Sequence, residues 1–181
     1  MITQGINTPM TSSVGRLFDA AAALLGICDK ATYEGEPAIS CEAAVWEWLQ
    51  SNDAITYEYD KRYDIQITKN VGTKNSTAQD TSVLLLDPAN TFAALLEDIN
   101  AGKDVGLIAK NFHEAFANAI LQVSLLCNQL YGIKQIALAG GVFMNRYLIE
   151  TTIKLLIDNG FSVAINRELP PSDGSISLGQ L

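Results

Sequence analysis

The segment from Gln135 to Ile165 constrains this chain more than any other. Gln135-Ile-Ala-Leu-Ala139 is a short apolar run of strand length, ended by the glycine pair Gly140-Gly141. Asn145 to Asn159 then carries apolar residues at helical spacing, Gly160 closes that helix, and Phe161-Ser-Val-Ala-Ile165 is a second strand. Strand, turn, helix and strand in this order predict a right-handed crossover between parallel strands, and hence an α/β fold.

The remaining segments supply mostly helices. A helix is expected from Ser12–Ser13, where hydroxyls can cap free amides, with Leu17, Ala21, Leu24 and Leu25 at helical spacing and Gly26 as its stop. Residues 30–37 read as a loop, and Ala38 to Gln50 as a helix whose apolar face is Ile39, Ala43, Trp46 and Leu49. Thr56–Tyr59, Tyr63–Ile67 and Ser82–Asp87 are strand candidates, with a polar loop from Lys69 to Thr81. Helices follow over Thr91–Ala101 and Val105–Tyr131, the latter with Ile108, Phe112, Ala115, Ala119, Val123 and Leu126 as its inner stripe. After Pro170-Pro171, Ser175 to Leu181 reads as the first turns of a further helix, so a truncation or a very short last helix is expected.

Length and charge bound the function. At 181 residues, 48% apolar and 18% charged, the chain fits one lobe with a real core, residues 1–181, interrupted only by the polar stretch 51–81. A net charge of -8 disfavours nucleic acid, but a nucleotide site uses local backbone amides and is not excluded. Cys28, Cys41 and Cys127 are too widely spaced for a zinc motif or disulfide framework, which points to reduced thiols and a cytoplasmic setting. No apolar run is of membrane length.

Three clusters could carry chemistry. In Ala139-Gly-Gly-Val-Phe-Met-Asn145 the glycines let backbone approach a phosphate, and the following helix start adds partial positive charge; a plain tight turn accounts for the same residues equally well. In Thr11-Ser-Ser-Val-Gly-Arg-Leu-Phe-Asp19, Asp19 could accept from ribose hydroxyls, although a serine cap with a surface Arg16–Asp19 pair is the commoner pattern. Asp173, after the rigid Pro170-Pro171 bend, could hold a cation or simply cap a helix. His113 is the only histidine, and packing or a helix–helix hydrogen bond is its expected role.

Read together, Thr11–Ala20, Tyr33-Glu-Gly35, Glu42-Ala43, Phe112-His113, Ala139–Asn145 and Pro170–Gln180 occur in this order in the HypF family, the carbamoyltransferases of nickel–iron hydrogenase maturation. The chain resembles the C-terminal part of that family over nearly its whole length, least in 51–81. The resemblance implies a TsaD-like ribonuclease-H-like lobe of the actin, sugar kinase and Hsp70 (ASKHA) fold, a mixed sheet flanked by helices. It implies that Gly15, Asp19 and Gly35 line the adenosine side of a cleft binding ATP or carbamoyl-adenylate. Gly140, Gly141 and Asn145 would face the phosphates, and Asp173 would help hold a divalent zinc, iron or magnesium ion. The family's metal-binding histidines lie upstream, so that site is expected to be incomplete here. No residue is assigned as catalytic.

The function implied is transfer of a carbamoyl group, made from carbamoyl phosphate and ATP, to the C-terminal cysteine of the partner HypE. The chain alone is expected to be inactive, with weak nucleotide binding. A TsaD-type tRNA threonylcarbamoyl transferase is one alternative. A non-catalytic docking lobe, with self-association through an exposed face, is another.

Overall fold

A single long helix organises the molecule. The computed structural model describes residues 11–52, 58–70 and 83–175, with Gln4 and Thr8. Helix Val105–Tyr131 (α4 in chain order) is buried almost all round between Gly106 and Leu121, because other elements pack on several of its faces. Its start is capped by the Asp104 carboxylate, which accepts from the amides of Gly106 and Leu107. It ends at Gly132, whose φ of 70° is the left-handed conformation that stops helices.

Helices Val14–Leu24 (α1), Glu36–Ser51 (α2) and Ala89–Asn100 (α3) surround the first half of α4. Their shared core contains Phe18, Ala21, Ala22, Cys41, Val45, Leu95, Ile108 and Phe112. Phe18, Phe112 and Phe116 meet at ring distances of 5.2–5.5 Å, two of the three pairs edge to face or nearly so. Strands Gln66–Asn70 (β1) and Val83–Asp87 (β2) form an antiparallel pair in register Gln66 opposite Asp87. Strand Gln135–Leu138 (β3), helix Arg146–Asp158 (α5) and strand Ser162–Ile165 (β4) follow, with β3 and β4 parallel, and a short 3-10 turn over Asp173–Ser175 comes after them. A smaller core of Leu121, Leu138, Leu156 and Phe161 joins them to the second half of α4.

Within the described residues, the expected helices up to Tyr131 and the strand–helix–strand unit form within one or two residues of their predicted spans. Several details differ. The described strands make two separate two-stranded sheets, not one mixed sheet. β1 begins at Gln66, later than the predicted Tyr63, because Tyr63 and Ile65 are pulled into the main core; β1 also takes in Lys69 and Asn70, predicted as loop. Although its sequence is an apolar run, β3 keeps only Leu138 buried, because β4 is its sole strand neighbour among the described residues.

On α2 the predicted inner face is wrong in part. Ile39 is 54% exposed and Ala43 is exposed, while Pro37, Cys41, Val45 and Trp48 face inward. The two apolar stripes have the same period, and contact with α4 selects one of them. Predicted features within 53–57, 71–82 and 176–181, including most of the polar loop, part of the Thr56–Tyr59 strand and the last helix, lie outside the described residues. Among the described residues no helix is long and apolar enough to cross a membrane.

Candidate functional site

The glycine pair opens a turn that only glycine can make. Gly140 has φ 111° and ψ 153°, in a region that residues with a side chain avoid. From it the chain enters a single 3-10 turn, Gly141–Met144, the detail that the plain tight-turn reading lacked. The turn is closed by Phe143 N donating to Gly140 O at 3.0 Å and Asn145 N to Val142 O at 3.1 Å. A side-chain carbon placed on Gly140 or Gly141 would meet no heavy atom of the described residues within 4 Å. The backbone on this side is therefore open to a ligand, and the need for glycine at 140 is conformational, not steric.

Two other predicted segments come to this turn. Gly140 N donates to Pro171 O at 2.8 Å, which ties the Pro170-Pro171 bend, and so the exposed Asp173, to the glycine turn. Helix α1, carrying Gly15 and Asp19, touches the Gly141–Met144 turn. Asp19 is paired with Arg16 at 3.0 Å, as the surface-pair reading expected. A carbon on Gly15 would sit 3.5 Å from Ser13 Oγ, an ordinary contact, so space does not demand glycine there. Gly35, with φ 84°, is the left-handed residue from which α2 starts.

Asn145 is the N-cap of α5, and its side chain points inward, 8% of the residue being exposed. Its Oδ1 accepts from Leu148 N at 2.9 Å, and its Nδ2 lies 2.8 Å from Nε2 of His113. The amide of Tyr147 donates to Glu42 Oε1 at 3.1 Å, and the same oxygen takes Trp46 Nε1 at 3.1 Å. Two first-turn amides of α5 are thus satisfied from within the protein, one by a carboxylate that suits the positive end of the helix dipole. The open backbone precedes α5, at Gly140 and Gly141.

Behind this layer lies a buried polar row. Lys110 pairs with Glu114 at 2.8 Å with both side chains largely buried, and Tyr147 Oη donates to Glu114 Oε1 at 3.0 Å. Burial, reinforced by the Glu114 charge, pushes the Tyr147 phenol upward. Burial likewise pushes His113 down to about 4, against the raising effect of its bond to Ala109. Burial pushes the Cys41 thiol up to about 12, and all three cysteines are free.

Asp173 does not gather a metal site by itself. Among the described residues no group of three or more histidine, cysteine or acidic side chains is close enough to hold an ion, and one exposed carboxylate is too few ligands for a divalent cation. Two open grooves lie apart from the glycine turn. One, of about 810 Å³, runs between α2 and the start of α4 along Ser40, Glu47, Trp48 and Asp104. The other, of about 440 Å³, lies between β1 and α4. Neither is lined by any of the predicted site residues, and both lack the strained, open backbone that marks the turn.

Glu42, named in the sequence only as part of a motif, is half-buried and bonded to α5. No spacing could reveal that contact, because Glu42 and Tyr147 are 105 residues apart. The four-residue step from Glu42 to Trp46 was its one local sign.

Residues 1–180 match the family model described as "Carbamoyltransferase, Kae1-like Domain, second subdomain". The carbamoyltransferase HypF of Synechocystis is 38% identical over 96% of this chain, and HypF2 of Cupriavidus necator is 30% identical over all of it. The chain spans only 19% and 23% of the length of these two relatives. Full-length HypF solved in a phosphate- and nucleotide-bound form is similar over 99% of this chain and 25% of its own, at TM-score 0.76 and 31% identity. HypF of T. kodakarensis is similar over 98% and 20%, at TM-score 0.72 and 26% identity.

Proposed function

This chain belongs to the HypF carbamoyltransferase family, and we propose that it forms one wall of a nucleotide cleft whose other wall lies outside its sequence. The observation that carries this reading is the Gly140–Gly141 turn. It has open backbone, it is bonded to the Asp173 segment, and α1 with Asp19 lies against it. That a relative in the family was solved with phosphate and nucleotide bound supports the assignment.

In this reading the lobe is a ribonuclease-H-like half of an ASKHA-type fold. Gly15, Asp19 and Gly35 form the adenosine side. The backbone at Gly140 and Gly141 faces the phosphates, and Asn145 shapes that backbone as the cap of α5. The bound nucleotide is carbamoyl-adenylate. Its carbamoyl carbon is attacked by the C-terminal cysteine thiolate of HypE, the carbon–sulfur bond forms, the carbon–oxygen bond to phosphate breaks, and AMP leaves. This chain's part is to hold and orient the adenylate. Asp173 would be one ligand of a divalent ion completed by residues outside this sequence. Free cysteines suit a reducing, cytoplasmic setting.

Half a cleft gives a fraction of the affinity. Each charged hydrogen bond missing from the other wall removes roughly 1.5–3 kcal/mol, or about one to two decades in binding. Calorimetry of this chain with ATP and magnesium is expected to show dissociation constants well above micromolar. Sub-micromolar binding would show a complete site and overturn the one-wall reading. Radiolabelled carbamoyl transfer to HypE is expected from a whole HypF carrying this sequence and not from the chain alone.

A second reading, a docking lobe, is favoured by the exposed apolar residues at the end of α4 and just beyond it. Leu130 is 54% exposed, Tyr131 74% and Ile133 42%, ahead of a parallel strand pair whose described partners stop at two. Size-exclusion chromatography at high concentration tests it, and a clean monomer speaks against self-association.

A further inference from the structure

His113 is fully buried and is bonded at both ring nitrogens. Its hydrogen bonds leave one consistent arrangement. Nδ1 lies 2.7 Å from the carbonyl oxygen of Ala109, which can only accept, so Nδ1 carries the proton. In the neutral ring Nε2 is then an acceptor, and it takes the proton of Asn145 Nδ2 at 2.8 Å. This in turn leaves Asn145 Oδ1 free to accept from Leu148 N at 2.9 Å. The sequence of bonds from Ala109 to Leu148 runs one way, each link setting the next.

The ring also stands between the two segments proposed to line the cleft. Phe18 of α1, beside Asp19, packs on one side at 4.7 Å between ring centroids. Tyr147 of α5 packs edge-on at 5.6 Å. Asn145 N closes the glycine turn through Val142 O, so whatever fixes Asn145 also fixes the end of that turn. We propose that His113 is a positioning residue, which holds Asn145, the α5 cap and the Gly140–Met144 turn at a set distance from α1. This rests on the nucleotide reading for its purpose, but the geometry it describes is testable without any nucleotide.

Because the chain has a single histidine, its ring nitrogens can be read without overlap in a nitrogen-15 spectrum of the labelled wild-type chain. A fixed tautomer with Nδ1 protonated and Nε2 bare at neutral pH is expected. A ring averaging between tautomers, or one protonated at Nε2, overturns the proposal.

The variants H113Q and H113F then separate positioning from packing. Glutamine can both donate and accept; phenylalanine fills space and does neither. In H113F, amide exchange at Leu148 is expected to quicken roughly fivefold, the worth of about one neutral hydrogen bond. Shifts at Gly140 and Gly141 should move as well, while α3 amides stay as they were. H113Q is expected to restore most of this, and to restore ATP–magnesium affinity that H113F weakens by a similar factor. An H113F chain with unchanged exchange and shifts from Gly140 to Leu148 would sink the proposal. If the wild-type chain binds no ATP at all, the nucleotide reading fails alone, and the tautomer and exchange results still decide the positioning role. If H113F does not fold, the wild-type tautomer and the H113Q exchange decide it.

Discussion

A side-chain carbon on Gly106 would stand 2.4 Å from Cβ of Trp48, closer than two carbon atoms can approach without bonding. The same carbon would lie 2.5 Å from the carbonyl oxygen of Ala44. Gly106 is therefore the point at which α2 and α4 cross, and hydrogen is the only side chain the crossing admits. In an isolated helix Gly→Ala would stabilise by about 1 kcal/mol. Here overpacking outweighs that gain, because Trp48 is held in the core. Gly106→Ala is expected to destabilise the fold by about 1–3 kcal/mol, lowering the melting temperature by several degrees. A variant that melts at or above the wild type would show that the helices can part at little cost.

Asp98 is the node that fastens residues 60–63 to α3. Its carboxylate, 2% exposed, accepts from Arg62 at 2.7 Å and Lys103 at 2.9 Å, and from Tyr63 Oη at 3.0 Å. Burial pushes the carboxyl up, but the bonds from Lys103, Arg62 and Tyr63 outweigh it and hold it below the usual range. Asp98→Ala leaves the buried Tyr63 hydroxyl without its acceptor and releases two partly exposed cations, and is expected to cost roughly 1–3 kcal/mol. Chemical denaturation of the two proteins measures it, and a loss under about 1 kcal/mol would mean that water replaces the carboxylate freely.

Stability should fall on the acid side in two stages. His113 sits at about 4 in the fold against 6.5 in the unfolded chain. Above 6.5 neither state binds the proton and no penalty exists. Between 6.5 and 4 the unfolded chain takes up a proton that the fold refuses, so stability drops by about 1.4 kcal/mol per pH unit, roughly 3 kcal/mol in all. Asp98, with its lowered carboxyl, adds a loss below the ordinary carboxylate range as its ion pairs are protonated. Urea midpoints from pH 8 to 4 test the first stage, and H113Q should flatten it. A wild-type profile already flat from 7 to 5 would contradict the buried neutral ring.

Gly140→Ala forces a side chain into φ 111°, ψ 153°. The strain is about 1–3 kcal/mol, and the turn is expected to relieve part of it by shifting. The variant should therefore lose some stability and, if the turn faces phosphates, should weaken ATP–magnesium binding more than Gly141→Ala does. Gly141 is not among the glycines with positive φ, and a carbon there meets nothing within 4 Å among the described residues. Equal losses in the two variants would remove the special standing of Gly140.

The sequence by itself determined the elements and the order of the site segments. Helical period, glycine stops and the strand–Gly-Gly–helix–strand pattern act within a few residues of one another, so they are legible without the fold. The family followed from the same ordered motifs. What α2 buries was not legible, since Ile39 and Ala43 repeat as regularly as Cys41 and Val45. Only the crossing at Gly106 chose between the stripes. Nor could spacing show that Glu42 caps α5, that His113 holds Asn145, or that Asp98 gathers Arg62 and Lys103. Of these links, those from Glu42, His113 and Arg62 join residues 105, 32 and 36 positions apart. Local chain geometry sets which conformations a segment can adopt; which polar groups meet once water is excluded was decided only when distant segments packed together.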